Sequence, residues 1–257
     1  MSFYSSIASW YDLLFPFDEE QFNFLSSTLD PLSCTCPGIR AGNEPVSRQK
    51  YLDIGCGTGT MLSAFSDRFK HLCGLDSDPA LLALAAKKLL PGEGKKVDLL
   101  EGDMANLFSL FHDEEFSFIT CLGNTIPHLR NPDSMLQFLK SVRELLALDA
   151  WFVFQIIGYD RILDSRERGL PTIERGDVTF ERYYSEPKQN GMIDFDTILS
   201  DPENDIEIKN SIELFPVRKA QMEEFLSAAG FSHFCFFGDF KASPWTPDSS
   251  LLVGVCS

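Results

Sequence analysis

The run Tyr51-Leu52-Asp53-Ile54-Gly55-Cys56-Gly57-Thr58-Gly59 constrains this chain more than any other stretch, because it reads as a buried strand that breaks into three glycines at alternate positions. Positions without a side chain let the backbone turn sharply and approach a bound group closely, and a helix placed after them aims free N–H groups at that group. A loop of this kind suits a nucleotide. Its GxGxG spacing differs from the GxGxxG of dinucleotide-binding turns, and Asp53 stands inside the strand just before it.

Two further strand ends carry acids. His71-Leu72-Cys73-Gly74-Leu75-Asp76 is a short apolar strand ending in a carboxylate, the place from which an α/β fold holds ribose hydroxyls, so Asp76 is the expected ribose anchor. Ser77 and Asp78 are better placed to cap the helix starting near Asp78-Pro79. A third strand, Val97-Asp98-Leu99-Leu100, leads into Glu101-Gly102-Asp103-Met104. Strands near 50–54, 71–76, 96–100, 116–121 and 150–157 alternate with helical segments near 59–68, 79–90, 104–110 and 132–147, the pattern of a doubly wound parallel sheet.

Outside this repeat, residues near Phe3 to Leu29 have helical spacing with a break at Phe15-Pro16-Phe17, which predicts two helices that form a lid. The polar, Pro- and Gly-rich stretch Ser33 to Gln49 reads as a loop. After the fifth strand the order changes: 178–185, 191–199 and 205–215 alternate and are split by turns such as Lys188-Gln189-Asn190-Gly191, which predicts an antiparallel insert. A helix near Arg218 to Ala229 ends at Gly230, followed by strands at Phe231 to Phe237 and Leu251 to Cys256. The organisation expected is a helical cap and loop at 1–47 and a main domain at 48–257, with the insert at about 175–216.

With 257 residues, 44% of them hydrophobic, the chain holds one α/β domain with an insertion. A formal charge of -16 argues against a sequence-independent grip on nucleic acid or an anionic membrane, leaving small molecules as the expected partners. No apolar run of about 18 residues and no signal pattern is seen at the start, so a cytoplasmic location is expected. Seven scattered cysteines point to reduced thiols; Cys34-Thr35-Cys36 lacks a second pair at metal-ligand spacing, and no metal is expected.

Taken together, the Gly loop after Asp53, Asp76, and Asp103-Met104 resemble the motifs of class I S-adenosylmethionine-dependent methyltransferases. The resemblance implies a Rossmann-like seven-stranded sheet, completed by the last two strands, and S-adenosylmethionine as cofactor. It further implies that Asp103 accepts from the adenine amino group and that Met104 packs near the ring. Gly55, Cys56, Gly57, Ser77 and Leu122 are expected to line the cofactor. Trp10-Tyr11-Asp12 resembles an element from which an aromatic hydroxyl reaches the methionyl end, making Tyr11 the candidate; packing on the core is the other reading. A nicotinamide oxidoreductase would share the sheet but normally shows GxGxxG.

The segment Cys121 to Leu129 follows the fourth strand, where open α/β sheets bind their ligands. Its Cys-Leu-Gly-Asn-x-x-x-His-Leu string, with Tyr159-Asp160-Arg161-Ile162-Leu163 and Gly238-Asp239-Phe240-Lys241, is similar to the glycine N-methyltransferase group and its bacterial relatives over about residues 48 to 257. By that match Asn124 contacts the acceptor, nitrogen is the atom methylated, and His128 either accepts a proton or serves structure. One position departs: an Arg that holds the glycine carboxylate in the group is Ile157 here, so glycine is doubtful as acceptor. Arg161, Arg182 or Arg175 could supply a cation from another angle, and Tyr159 belongs to the same expected acceptor surface. Tyr183 and Tyr184 sit on one strand and point to opposite faces, so at most one faces the site. A catalytically silent cofactor- or partner-binding module of the same fold remains the alternative.

Overall fold

A computed structural model describes residues 3–29, 50–89, 96–165 and 168–257; the loop expected at 33–49, with Cys34 and Cys36, lies outside them. The N-terminal part is helical: α1 (Phe3–Ile7), a single 3₁₀ turn at Ala8–Trp10, α2 (Tyr11–Leu14) and α3 (Glu19–Thr28). The break falls at 15–18, where Pro16 interrupts the helix and Asp18 caps α3 by accepting from the Glu20 and Gln21 amides. The alternating repeat follows as β1 (Lys50–Ile54), α4 (Thr60–Ala64), β2 (His71–Asp76), α5 (Pro79–Lys88), β3 (Lys96–Glu101), α6 (Leu107–Phe111), β4 (Phe116–Cys121), α7 (Pro132–Leu145) and β5 (Leu146–Ile157). Then come α8 (Tyr159–Asp164), the antiparallel strands β6 (Gly169–Arg175), β7 (Val178–Tyr184), β8 (Ile193–Asp201) and β9 (Ile206–Leu214), α9 (Lys219–Ala229), β10 (Phe234–Phe237) and β11 (Leu251–Cys256).

Seven strands form one mixed sheet in the order β10-β11-β5-β4-β1-β2-β3, and the insert is a separate four-stranded sheet, β6-β7-β8-β9. In the large sheet β11 runs antiparallel to both β10 and β5, while β1 pairs in parallel with β2 and β4. The chain builds outward from β1 to β3 and then returns to lay β4 on the other flank of β1. That reversal opens a crevice beyond the carboxyl ends of β1 and β4, where such sheets bind ligands.

Alternation along β1 sends Leu52 and Ile54 into one apolar layer and Tyr51 into the other, where its ring meets Phe65, Phe69 and Phe118. A third, smaller core explains the N-terminal helices. Ile7 and Leu14, each 1% exposed, pack with Val178, Phe180 and Leu199 on the inner face of the insert, a burial worth roughly 1.5 to 3 kcal/mol per side chain. Ser5 Oγ donates to Asp78 at the start of α5 (2.7 Å), while Asn210 Nδ2 on β9 donates to Ser6 Oγ (2.8 Å) and Trp10 Nε1 donates to Asp201 on β8 (3.0 Å). Neighbouring residues of α1 therefore reach the cap of α5 and the strands of the insert.

Several expectations need correction. The insert starts earlier than 175: β6 escapes a period-two reading because it is an exposed edge strand that contains Pro171 and breaks register between Leu170 and Ile173. The helix expected at 59–68 stops at Ala64, and the one at 104–110 opens as a 3₁₀ turn at Met104–Asn106. The thiols are not all reduced. Cys56, Cys73, Cys121 and Cys256 are free and buried, but Cys235, half-buried on the edge strand β10, is disulfide-bonded. Among the described residues no helix is long and apolar enough to cross a membrane.

Candidate active site

At the crevice lies a cavity of about 1050 Å³, at the top of the size range of ligand clefts. Its walls come from the ends of β1 to β4, from α1 and α2, and from the inner face of the insert. Tyr11, Asp53, Gly55, Cys56, Asp76, Ser77, Asp103, Met104 and Leu122 all line it, so the strand-end residues singled out from sequence converge on one space. Gly57 is covered: a Cβ there would stand 3.2 Å from the Tyr11 ring, so the glycine lets that ring lie flat on the loop.

The loop works differently from the expectation of free amides. Gly55 and Cys56 donate to the Leu75 carbonyl (2.7 and 3.1 Å), Gly59 donates to the Cys56 carbonyl (2.9 Å), and Gly57 donates to Asp76 Oδ2 (2.8 Å). These bonds occupy the amides of Gly55, Cys56, Gly57 and Gly59, so that part of the loop supplies shape and holds the Asp76 carboxylate. Asp76 Oδ1 also accepts from the Asp78 amide at 2.9 Å. A carboxylate has about four acceptor sites, so these two bonds leave room for a pair of hydroxyl donors. Burial raises the Asp76 pKa, and the amides of Asp78 and Gly57 oppose it. Asp78 caps α5 through the Ala80 and Leu81 amides, as its position before Pro79 predicts.

Asp53 is 4% exposed, and Thr120 on the neighbouring strand donates to its Oδ1 at 2.6 Å, with the Tyr51 hydroxyl 2.7 Å from the same Thr120 oxygen. Burial pushes the Asp53 carboxyl up to about 7, the Thr120 bond opposing and the nearby Asp76 adding to it. Asp103 accepts from the Ala105 amide through Oδ1 (2.9 Å) and turns the chain into the 3₁₀ segment. Cys56 is a buried filler whose thiol burial keeps protonated. Asp12 bonds Thr58 and pairs with Lys88 (2.9 Å), tying α2 to the loop and to α5.

The turn after β4 is left-handed twice over, at Gly123 (φ 67°) and Asn124 (φ 65°). Asn tolerates that region better than most residues. Gln155 holds the turn, its Oε1 accepting from the Gly123 amide (2.9 Å) and its carbonyl from the Asn124 amide (3.2 Å). Asn124 lines the cavity, yet its Oδ1 accepts from the Ile157 amide (3.0 Å) and its Nδ2 donates to the Tyr159 hydroxyl (3.0 Å). It ties the turn to the end of β5 and keeps one Nδ2 hydrogen for a ligand. Tyr159 itself is fully buried behind the wall, and neither it nor Arg161 lines the cavity.

His128 does line it, beside a residue that no sequence pattern pointed to: the Tyr4 hydroxyl lies 2.9 Å from His128 Nε2. Burial lowers the His128 pKa to about 4 and raises that of Tyr4, so both are uncharged at neutral pH. Ile157 also lines the cavity and gives that part of the wall an aliphatic surface. Arg182, Tyr184 and Arg175 line the insert side, whereas Tyr183 is 44% exposed and absent from the wall, the split that strand alternation demands. Phe180 and Phe195 complete that side, and the aromatic character of the insert is the sequence signal that could have marked them.

The sheet order and the crevice are those of the Rossmann-like fold of S-adenosylmethionine-dependent methyltransferases. Residues 52–149 match the family model described as a methyltransferase domain. The chain is similar to a ubiquinone biosynthesis O-methyltransferase of Saccharophagus degradans, 31% identical over 49% of this chain and 48% of that one. It is also similar to a glycine/sarcosine/dimethylglycine N-methyltransferase of Actinopolyspora halophila, 24% identical over 80% of this chain and 35% of that one. It thus spans about half the length, or less, of these curated relatives. A solved S-adenosylmethionine-dependent methyltransferase from Clostridium acetobutylicum superposes with a TM-score of 0.77, 17% identity, and coverage of 100% and 99% of the two chains, a likeness of fold.

Proposed function

We propose that this chain is an S-adenosylmethionine-dependent methyltransferase that acts on a small molecule at nitrogen, with residues 48–257 as the working domain and 1–47 as its cap. The observation that carries the reading is the convergence of Asp53, Asp76 and Asp103 on one cavity at the point where the strand order reverses. When bound, the cofactor would supply an electrophilic methyl group for in-line displacement by the acceptor. Asp76 then holds ribose hydroxyls with its two spare acceptor sites, Asp103 and Met104 receive the base with Leu122 and Ser77 nearby, and Tyr11 closes over the loop. Asp53 places a titratable acid near a cationic donor, whose charge favours the ionised carboxylate.

Catalysis in this reading rests on orientation and exclusion of water rather than on a covalent intermediate. Asn124 fixes the turn and offers one N–H to the acceptor. Neutral His128, next to Tyr4, is in the form needed to take a proton from an amine, though a group with a pKa of about 4 is a weak base. The glycine N-methyltransferase-like string and the N-methylating relative support nitrogen; the O-methylating relative keeps oxygen as the competing acceptor atom.

Calorimetric titration with S-adenosylmethionine and, separately, NAD tests the cofactor. Tight NAD binding without an S-adenosylmethionine signal overturns the reading. Turnover is tested by release of S-adenosylhomocysteine with a panel of amines, phenols and carboxylates. Cofactor binding with no product across the panel favours the silent module, which the aliphatic Ile157 in the wall makes the reading to beat.

A further inference from the structure

The inner face of the insert carries a cation, Arg182, with no partner charge among the described residues. Residues 180, 182 and 184 of β7 share that face with 195 and 197 of β8, as the pairings Arg182↔Thr197 and Tyr184↔Phe195 require. Around Arg182 the cavity wall is Leu170, Phe180, Tyr184 and Phe195. Its Nη2 donates to the Pro171 carbonyl (2.7 Å), but its Nε is buried without a partner, and no carboxylate pairs with it among the described residues. The acid that the insert contributes to the wall, Glu213, is paired with Lys188 at 2.7 Å. The other cation that the insert contributes to the wall, Arg175, is exposed and turned onto the Glu174 carbonyl.

Arg182 is half-buried, and a guanidinium whose Nε is closed off from solvent without a partner gains from a ligand that supplies an acceptor and a counter-charge. Its planar fork suits a carboxylate, which takes two parallel charge-assisted bonds. The walls beside it are apolar and aromatic, a surface for a ring or a comparable body rather than for a two-carbon acid.

We propose that the acceptor is a carboxylate-bearing molecule with a ring-sized apolar body, its carboxylate bound by Arg182 and its body between Phe180, Tyr184 and Phe195. This rests on the methyltransferase reading for the word acceptor, but the anion site stands on the insert alone.

The test uses the full chain saturated with S-adenosylhomocysteine and three matched pairs of probes: 3-aminobenzoate, 4-(aminomethyl)benzoate and 4-aminophenylacetate, each against its own primary amide, with glycine as the small acid. Calorimetry should show at least one ring acid binding about tenfold or more tighter than its amide and than glycine, the scale of one charge-assisted contact. Arg182→Gln should erase the preference and Arg182→Lys should keep part of it, with S-adenosylhomocysteine affinity unchanged in both. Acids that bind no better than their amides in the wild-type chain overturn the proposal, whether or not the variants fold. If S-adenosylhomocysteine fails to bind, the methyltransferase reading falls, and the acid and amide comparison on the free chain still decides the anion site.

Discussion

The Thr120 hydroxyl donates to Asp53 Oδ1 across 2.6 Å in the cavity wall, so a carboxyl whose pKa burial pushes up to about 7 is bound to one neutral donor and, among the described residues, to no cation. The folded pKa stands above the ordinary 3.8, which means that the folded chain keeps a proton the unfolded chain has lost. This contribution is therefore lost as pH rises from about 4 to about 7, at up to roughly 1.4 kcal/mol per unit.

His128 acts in the opposite sense. Its folded pKa of about 4 lies below the ordinary 6.5, so the unfolded chain binds the extra proton and this contribution grows as pH rises between those values. The two trends oppose one another in the wild type. Urea unfolding from about pH 4 to 8 should show stability rising with pH in Asp53→Asn relative to wild type and falling with pH in His128→Asn; parallel curves for all three would refute both assignments.

Asp76→Ala removes the acceptor that the loop holds in place. Affinity for S-adenosylhomocysteine should drop by roughly 1 to 3 kcal/mol, read by calorimetry. Asp76→Asn should recover only part, since an amide has half the acceptor capacity of the carboxylate.

Gly55→Ala meets two obstacles. The position has φ 72°, and a Cβ would stand 2.5 Å from Thr125 Oγ1, whose own bond to the Leu122 carbonyl (2.7 Å) resists moving. A loss of roughly 1 to 2 kcal/mol from the left-handed backbone alone is expected, larger in sum. Adding Thr125→Ala should recover the contact part and leave the backbone part, as thermal midpoints of the single and double variants would show.

Tyr4→Phe leaves a buried imidazole nitrogen unpaired. The cost should be about 1 to 3 kcal/mol in stability, and if His128 accepts the acceptor's proton, kcat should change with KM held. A kcat that does not move, together with the stability loss, would assign the pair to structure.

The central strands were legible because parallel strands buried on both faces read as short apolar runs, and Asp53, Asp76 and Asp103 were legible because each stands at a strand end. What was missed depends on distance along the chain. Tyr4 and His128 are 124 residues apart, and no period links them. The attachment of α1 to the insert rests on a shared core with Phe180 that only the folded sheet creates. The loop amides misled for a related reason: the Leu75 carbonyl and the Asp76 carboxylate that satisfy them lie on the next strand. β6 was hidden by Pro171 and exposure, which remove alternation from an edge strand.

α1 is five residues long, and consecutive serines in it grip the cofactor-side helix α5 and the insert strand β9. Such a short rod cannot shift at one end and stay still at the other. Displacing α1 therefore breaks the Ser5–Asp78 and Asn210–Ser6 contacts together. Two adjacent hydroxyls of one short helix thus join the helix after β2 to the insert.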